Sequence, residues 1–252
     1  ADSVNDPRTK RYGDFTVRRL EPGSGKLLTK LGTSGIESSA ADPLEFGEVT
    51  DVSFHPNGDV FITDGGDGDG VNERLVRLDG SSFKPVWIRG NNGTVPTSDD
   101  PIGKFSQLHS VTYDSTRDLV WVADRAHSRI VAIAASNGAF VGHWTCIADL
   151  TGNGPNSVRF DSKRDRVVST LGTGGPTGKR TDAVLFALKG NAKIKDKVGD
   201  CAFAVEPIDL KTTINAHEIA VDIRTGDVYT AMEAESSGML LRFLWQDSQL
   251  VV

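Results

Sequence analysis

Thr50-Asp51-Val52-Ser53-Phe54, then His55-Pro56-Asn57-Gly58-Asp59, then Val60-Phe61-Ile62-Thr63-Asp64: an alternating run, a polar reversal and a second apolar run. Val, Ile and Phe suit the two faces of a pleated strand, and Pro-Asn-Gly supplies the backbone conformations of a tight turn, so the stretch predicts a β-hairpin. Arg74-Leu75-Val76-Arg77-Leu78 and Pro85-Val86-Trp87-Ile88 follow as third and fourth strands. The phrase then repeats. From His109 it runs Ser110-Val111-Thr112-Tyr113-Asp114, a turn, Leu119-Val120-Trp121-Val122-Ala123-Asp124, then Ser128-Arg129-Ile130-Val131-Ala132-Ile133 and Ala139-Phe140-Val141-Gly142. A third copy begins at Asn156, continuing through Arg166-Val167-Val168-Ser169 and Ala183 to Leu188, and a fourth begins at His217, with Asp227 to Ala231 and Met239 to Phe243.

Each unit reads strand, turn, strand, loop, strand, and in most cases a fourth strand, which is one blade of a β-propeller. The units differ in length because the loops between strands differ, and each doubling of a loop adds only about 0.6 kcal/mol of closure entropy. The fold expected is therefore all-β, four-stranded antiparallel blades in a single domain over 1–252, with blades starting near 50, 109, 156 and 217. The only stretch with an amphipathic helical pattern is Lys193 to Lys211, and a strand-rich reading is preferred there too.

Residues 1–46 read as a partial blade: Phe15 to Leu20, a Pro22-Gly23-Ser24-Gly25 turn and Lys26 to Gly32 make two strands without an innermost one. An open ring would expose strand edges and apolar blade faces, so the chain is expected to be part of a longer, six-bladed propeller. The rival is a five-bladed ring in which the N-terminal strands join Gln249-Leu250-Val251-Val252.

Composition narrows the function classes. Hydrophobic residues are 38% and charged residues 25%, ordinary values for a globular protein, while a net charge of −6 gives no positive field for nucleic acid or anionic lipid. No apolar run is long enough to span a bilayer. Cys146 and Cys201 lack metal-knuckle or redox-pair spacing, leaving one long-range disulfide or two free thiols. Asn92-Gly93-Thr94 is a glycosylation acceptor pattern and lends modest support to a secreted or secretory-lumen location.

The order of the phrases Thr50-Asp51-Val52, Thr63-Asp64-Gly65, Leu108-His109-Ser110, Val122-Ala123-Asp124-Arg125 with Ser128-Arg129-Ile130, and Ala216-His217-Glu218-Ile219 resembles, from about Ser3 to Phe243, NHL-repeat propellers of the peptidylglycine α-amidating lyase type. The resemblance implies a zinc site at the central channel, built by one His from each of three blades; His109 and His217 match two, and Val4-Asn5-Asp6 places the third before Ala1 at the His109-to-Asp124 spacing. It implies that Arg125 sits near the metal and acts in catalysis, and that Glu218 stands where the family has an aspartate at a structural calcium. It also exposes a departure: the family's tyrosine base falls at Gly66, which cannot transfer a proton.

Two functions follow. One is a zinc-dependent lyase, with weakened activity, that cleaves a peptide ending in α-hydroxyglycine to a peptide amide and glyoxylate. The other is a non-catalytic extracellular propeller that binds a protein or glycan partner. For His109 and His217 the plain alternative is ordinary channel residues, and for Arg125 a blade-to-blade pin. His55 in a turn, His127 on a loop and His143 in an outer strand are expected at the surface. The stretch Asp64 to Glu73 crowds oxygen atoms into a glycine-rich loop that suits calcium or a solvated turn.

Overall fold

In Val60-Phe61-Ile62 the side chains alternate between two buried faces, and that alternation organises the molecule. The computed structural model describes residues 16–33, 44–66, 72–90, 105–144, 154–171, 184–189, 205–209, 215–233, 239–246 and 249–251. These contain strands and turns and no helix. A hairpin of β1 (Val17–Leu20) and β2 (Leu27–Leu31) precedes four antiparallel four-stranded sheets. The first blade holds β3 (Val49–Phe54), β4 (Val60–Asp64), β5 (Arg74–Leu78) and β6 (Pro85–Gly90), and the second β7 (Leu108–Asp114), β8 (Leu119–Asp124), β9 (Arg129–Ala134) and β10 (Phe140–Trp144). The third holds β11 (Pro155–Asp161), β12 (Arg166–Leu171), β13 (Val184–Lys189) and β14 (Val205–Asp209), and the fourth β15 (Asn215–Val221), β16 (Val228–Glu233), β17 (Met239–Gln246) and β18 (Gln249–Val251). In every blade the strands are paired in sequence order, and the first strands β3, β7, β11 and β15 pack in succession. This is the all-β propeller that the repeat predicts.

Burial follows the two faces. Phe61, Leu75 and Trp87 of the first blade meet Val111, Val120, Val122, Val131 and Ile133 of the second, closed over by Phe105 and Leu108. From the opposite face of the first blade, Val60, Ile62, Val76 and Leu78 pack with Phe46 against Val17 and Leu31 of the β1–β2 hairpin. Each such side chain removed from water contributes about 1.5–3 kcal/mol, so a blade cut loose from its neighbours would lose most of its stabilisation.

Polar clamps repeat where the apolar faces end. Asp64 accepts from the Gly47 and Glu48 N–H groups and, on its other oxygen, from Asn72 and the Arg74 guanidinium; Asp124 accepts from the Ser106 N–H and from Arg129. At the far end of the strands Arg117 forks onto Asp165 of the next blade at 2.6 and 2.7 Å, and Arg164 donates to the Thr225 carbonyl at 3.1 Å. One Arg117 nitrogen reaches both Asp165 oxygens while the other bonds Asp114 of its own blade, so the guanidinium spans the two blades.

Strand pairing decides between the alternatives the sequence left open. β14 lies inside Lys193–Lys211, where an amphipathic helical pattern is visible, and pairs with β13 from Val184↔Asp209 to Leu188↔Val205. Gln249–Val251 pairs with β17 as the fourth strand of its own blade, while β1 and β2 form a separate hairpin, so the five-bladed pairing is not the one adopted. His55, expected at the surface, keeps 21% of its side chain exposed while its ring lies 4.7 Å from that of Tyr113 and edge-on to Phe61.

Candidate functional site

The site begins with a backbone irregularity that all four first strands share. Val49 pairs with Asp64 and Asp51 with Thr63, which leaves Thr50 as the extra residue of a β-bulge. The same shift leaves out His109 between Leu108 and Ser110, Asn156 between Pro155 and Ser157, and His217 between Ala216 and Glu218. A bulge re-aims the side chain it carries. Repeated at one height on four adjacent strands, it sets Thr50, His109, Asn156 and His217 in a row at one end of the channel.

Within that row His109 and His217 meet although a whole blade separates β7 from β15: their ring centroids are 4.9 Å apart, edge to face. His109 is nearly buried and His217 partly open, with 28% of its side chain exposed. Thr50 is held back, its hydroxyl donating to the Leu108 carbonyl at 2.8 Å. Asn156 is completely buried, and neither end of its carboxamide has a hydrogen-bond partner.

One residue along each strand lies a second row, Asp51, Ser110, Ser157 and Glu218, and here every side chain is engaged. The Arg159 guanidinium reaches across to Asp51 at 2.6 Å and to the Ser110 hydroxyl at 2.7 Å, with Glu218 3.9 Å away. Ser157 donates to Glu218 at 3.2 Å, and the other Glu218 oxygen stands 3.6 Å from His217 Nδ1. Burial pushes the Glu218 carboxyl up, but the His217 hydrogen bond and the charges of Arg159, His109 and His217 outweigh it and hold the group below the usual range. Glu218 is therefore an anion that orients His217.

Arg125 follows β8 in the loop that faces the start of β11. A Cβ on Gly154 would fall 1.7 Å from the Arg125 carbonyl oxygen, so the backbone of Arg125 is seated flat against the entry to β11, two residues before Asn156. Position 66 is filled in another way: a Cβ there would lie 1.8 Å from a carboxylate oxygen of Glu48. The place from which a side chain of residue 66 would project is taken by an acid that the sequence reading passed over. Beside it Glu73 accepts from the Gln107 and Leu108 N–H groups at 2.9 and 3.0 Å, and burial, ahead of those bonds, pushes its carboxyl up.

The remaining histidines stand apart from the row. His143 is on the outermost strand β10, and His127 hydrogen-bonds Asp124 at 3.0 Å. Tyr113 and Tyr229 lie on strands β7 and β16. Both Asp64 oxygens are taken by N–H donors, and Asp67 and Asp69 of the acidic loop, Asn92, Cys146 and Cys201 lie outside the described residues.

Among the described residues no group of three or more His, Cys, Asp and Glu side chains is placed to hold a metal ion. The two imidazoles do fit a shared one. Zinc at about 2.0–2.1 Å from each of two imidazole nitrogens, with tetrahedral angles, puts the ring centres roughly 5 Å apart, which is the separation seen.

Comparison with known proteins agrees with the architecture. No family model matches the chain. It is 35% identical over 231 residues to mouse NHL repeat-containing protein 3 and 35% identical over 224 residues to the human protein, covering 90% and 88% of this chain. The chain spans 58% and 55% of the length of those relatives. A more distant relative, the probable peptidyl-alpha-hydroxyglycine alpha-amidating lyase pgal-1 of Caenorhabditis elegans, is 24% identical over 134 residues, 53% of this chain and 35% of its own. Among solved structures, hydrazine synthase of Kuenenia stuttgartiensis superposes with a TM-score of 0.59 over 86% of this chain and 51% of its own, at 8% identity. A Bacteroides caccae protein of unknown function gives 0.54 over 96% and 69%, also at 8% identity; both likenesses concern the fold alone. No helix among the described residues is long and apolar enough to cross a membrane. Repeat phrase, blade topology and relatives agree: the chain is an NHL-repeat β-propeller.

Proposed function

We propose that the channel mouth of this propeller is a zinc site of the amidating-lyase type, acting slowly on peptides that end in α-hydroxyglycine. The observation that supports it is the approach of His109 and His217 to 4.9 Å from strands one blade apart, an arrangement that a bland pair of channel residues does not require. Zinc bound there supplies a Lewis acid for the substrate hydroxyl. The chain's own residues do the rest. Glu218 faces His217 Nδ1 and leaves Nε2 for the ion; Arg125, seated beside the entry to β11, steadies developing negative charge; Glu48, at the place where residue 66 lacks a side chain, is the group to hold the proton that leaves the substrate.

Glyoxylate release from a peptide with C-terminal α-hydroxyglycine, measured on zinc-loaded protein, tests the reading. Weak release above background is expected, and Glu48→Gln should reduce it by about 10²–10⁴-fold, or to background, as loss of a positioned acid–base group does. Gly66→Tyr should push aside the flexible Glu48 carboxylate that its Cβ meets and so lower release further, whereas Glu48→Ala with Gly66→Tyr should restore it if the tyrosine takes over as base. Zinc bound without glyoxylate from any of these proteins would contradict the lyase reading.

That result would favour the second reading, a propeller whose top face binds an extracellular protein or glycan. The observation on its side is the absence of a tyrosine at position 66, together with the higher identity to relatives named only for their repeats. Both readings carry a secretory location, in which Cys146 and Cys201 form a bridge and Asn92 carries a sugar.

A further inference from the structure

The bulge row holds a third polar group, on the strand between those that carry the two imidazoles. β11 lies between β7 and β15, and the row beneath is in contact across all three strands: Ser110 Oγ is 3.5 Å from Ser157 Oγ, and Ser157 donates to Glu218. Asn156 precedes Ser157 as His109 precedes Ser110 and His217 precedes Glu218, so its bulge brings it to the same height on the strand between theirs. It is 0% exposed, with both carboxamide atoms lacking a partner. Leaving a buried amide unsatisfied costs about 1–3 kcal/mol, and native proteins rarely tolerate it without a water or an ion in the gap. An apolar residue on the same strand would carry no such cost.

We infer that Asn156 is a ligand of the metal held by His109 and His217, giving its Oδ1 to the ion. The inference rests on the zinc reading and sharpens it, since it completes three protein donors from three successive blades of this chain. The neutral carbonyl is a weaker donor than imidazole or carboxylate, and that predicts the direction of each substitution.

The test is zinc affinity by competition with a chromophoric chelator, on the whole chain carrying Asn156→Leu or Asn156→Asp, beside thermal melting without metal. Asn156→Leu should weaken zinc by about 10–100-fold, the range seen when a group that supports a metal site is lost. Its metal-free melting temperature should not fall, because an apolar isostere removes the unsatisfied amide. Asn156→Asp should bind zinc more tightly than the wild type. Unchanged zinc affinity in both variants, with wild-type binding intact, overturns the role of Asn156 and leaves the histidine site standing, as does a lowered metal-free melting temperature with unchanged affinity. A wild-type chain that binds no zinc overturns both. If the leucine variant does not fold, the aspartate variant decides alone: affinity equal to or weaker than wild type refutes the assignment.

Discussion

Two rows of side chains, one residue apart on the same four strands, treat polarity in opposite ways. In the lower row Asp51, Ser110, Ser157 and Glu218 are joined to one another through Arg159, which ties the first blade to the third and lies within 3.9 Å of a carboxylate of the fourth. In the upper row the bulges turn His109 and His217 toward each other and leave the Asn156 amide buried without a partner. A network satisfied on all sides holds a structure together, whereas a buried amide without a partner is where a bound ion or ligand would complete the bonding. The comparison assigns stability to the lower row and binding to the upper one.

The largest expected effect on folding comes from the lower row. Arg159→Met keeps the stem and removes the guanidinium, leaving Asp51 with only 13% of its side chain exposed and its strongest partner gone. Breaking a buried pair from one side costs about 3–5 kcal/mol, reduced toward the lower figure by the partial exposure of both groups, and urea denaturation should show it. Zinc affinity should change little. A large loss of zinc binding with unchanged stability would reverse the assignment of the two rows.

A smaller effect separates the rows by pH. The Glu218 carboxyl titrates below its usual value of 4.5 in the folded chain, held down by His217 and Arg159 against burial. A folded value lowered in this way contributes stability that is present above the unfolded value and disappears as pH falls through the folded one. Wild type should therefore exceed Glu218→Gln by a constant margin at neutral pH, and the margin should shrink on acidification below about pH 4.5. A margin that persists in acid would mean that Glu218 contributes through packing rather than charge.

How far these assignments could be read from the sequence varies by element. The Thr50, His109, Asn156 and His217 starts are legible because an innermost strand repeats the same alternation, and the repeat register puts two histidines at one position. The meeting of those histidines follows from the successive packing of β7, β11 and β15 around a common axis. β14 was harder to see, since Val205–Asp209 contains Pro207 and only a short alternation inside a polar stretch, and its strand character comes from pairing with β13. Glu48 precedes the first phrase and carries no motif; only the bare backbone at Gly66 gives it a place to stand. Asn156 is named by the repeat as a blade start, and the signal that it belongs to the site was its register with the two histidines. What the sequence did not show was that it is buried and unsatisfied, because that depends on how three blades pack.

The central claim is that His109 and His217 share one ion, and zinc-edge X-ray absorption on the stoichiometric complex tests it most directly. The account predicts about one zinc per chain with two imidazole nitrogens at about 2.0–2.1 Å, and loss of one of them in either His109→Ala or His217→Ala. A zinc shell with no imidazole, or one that neither substitution alters, would contradict it.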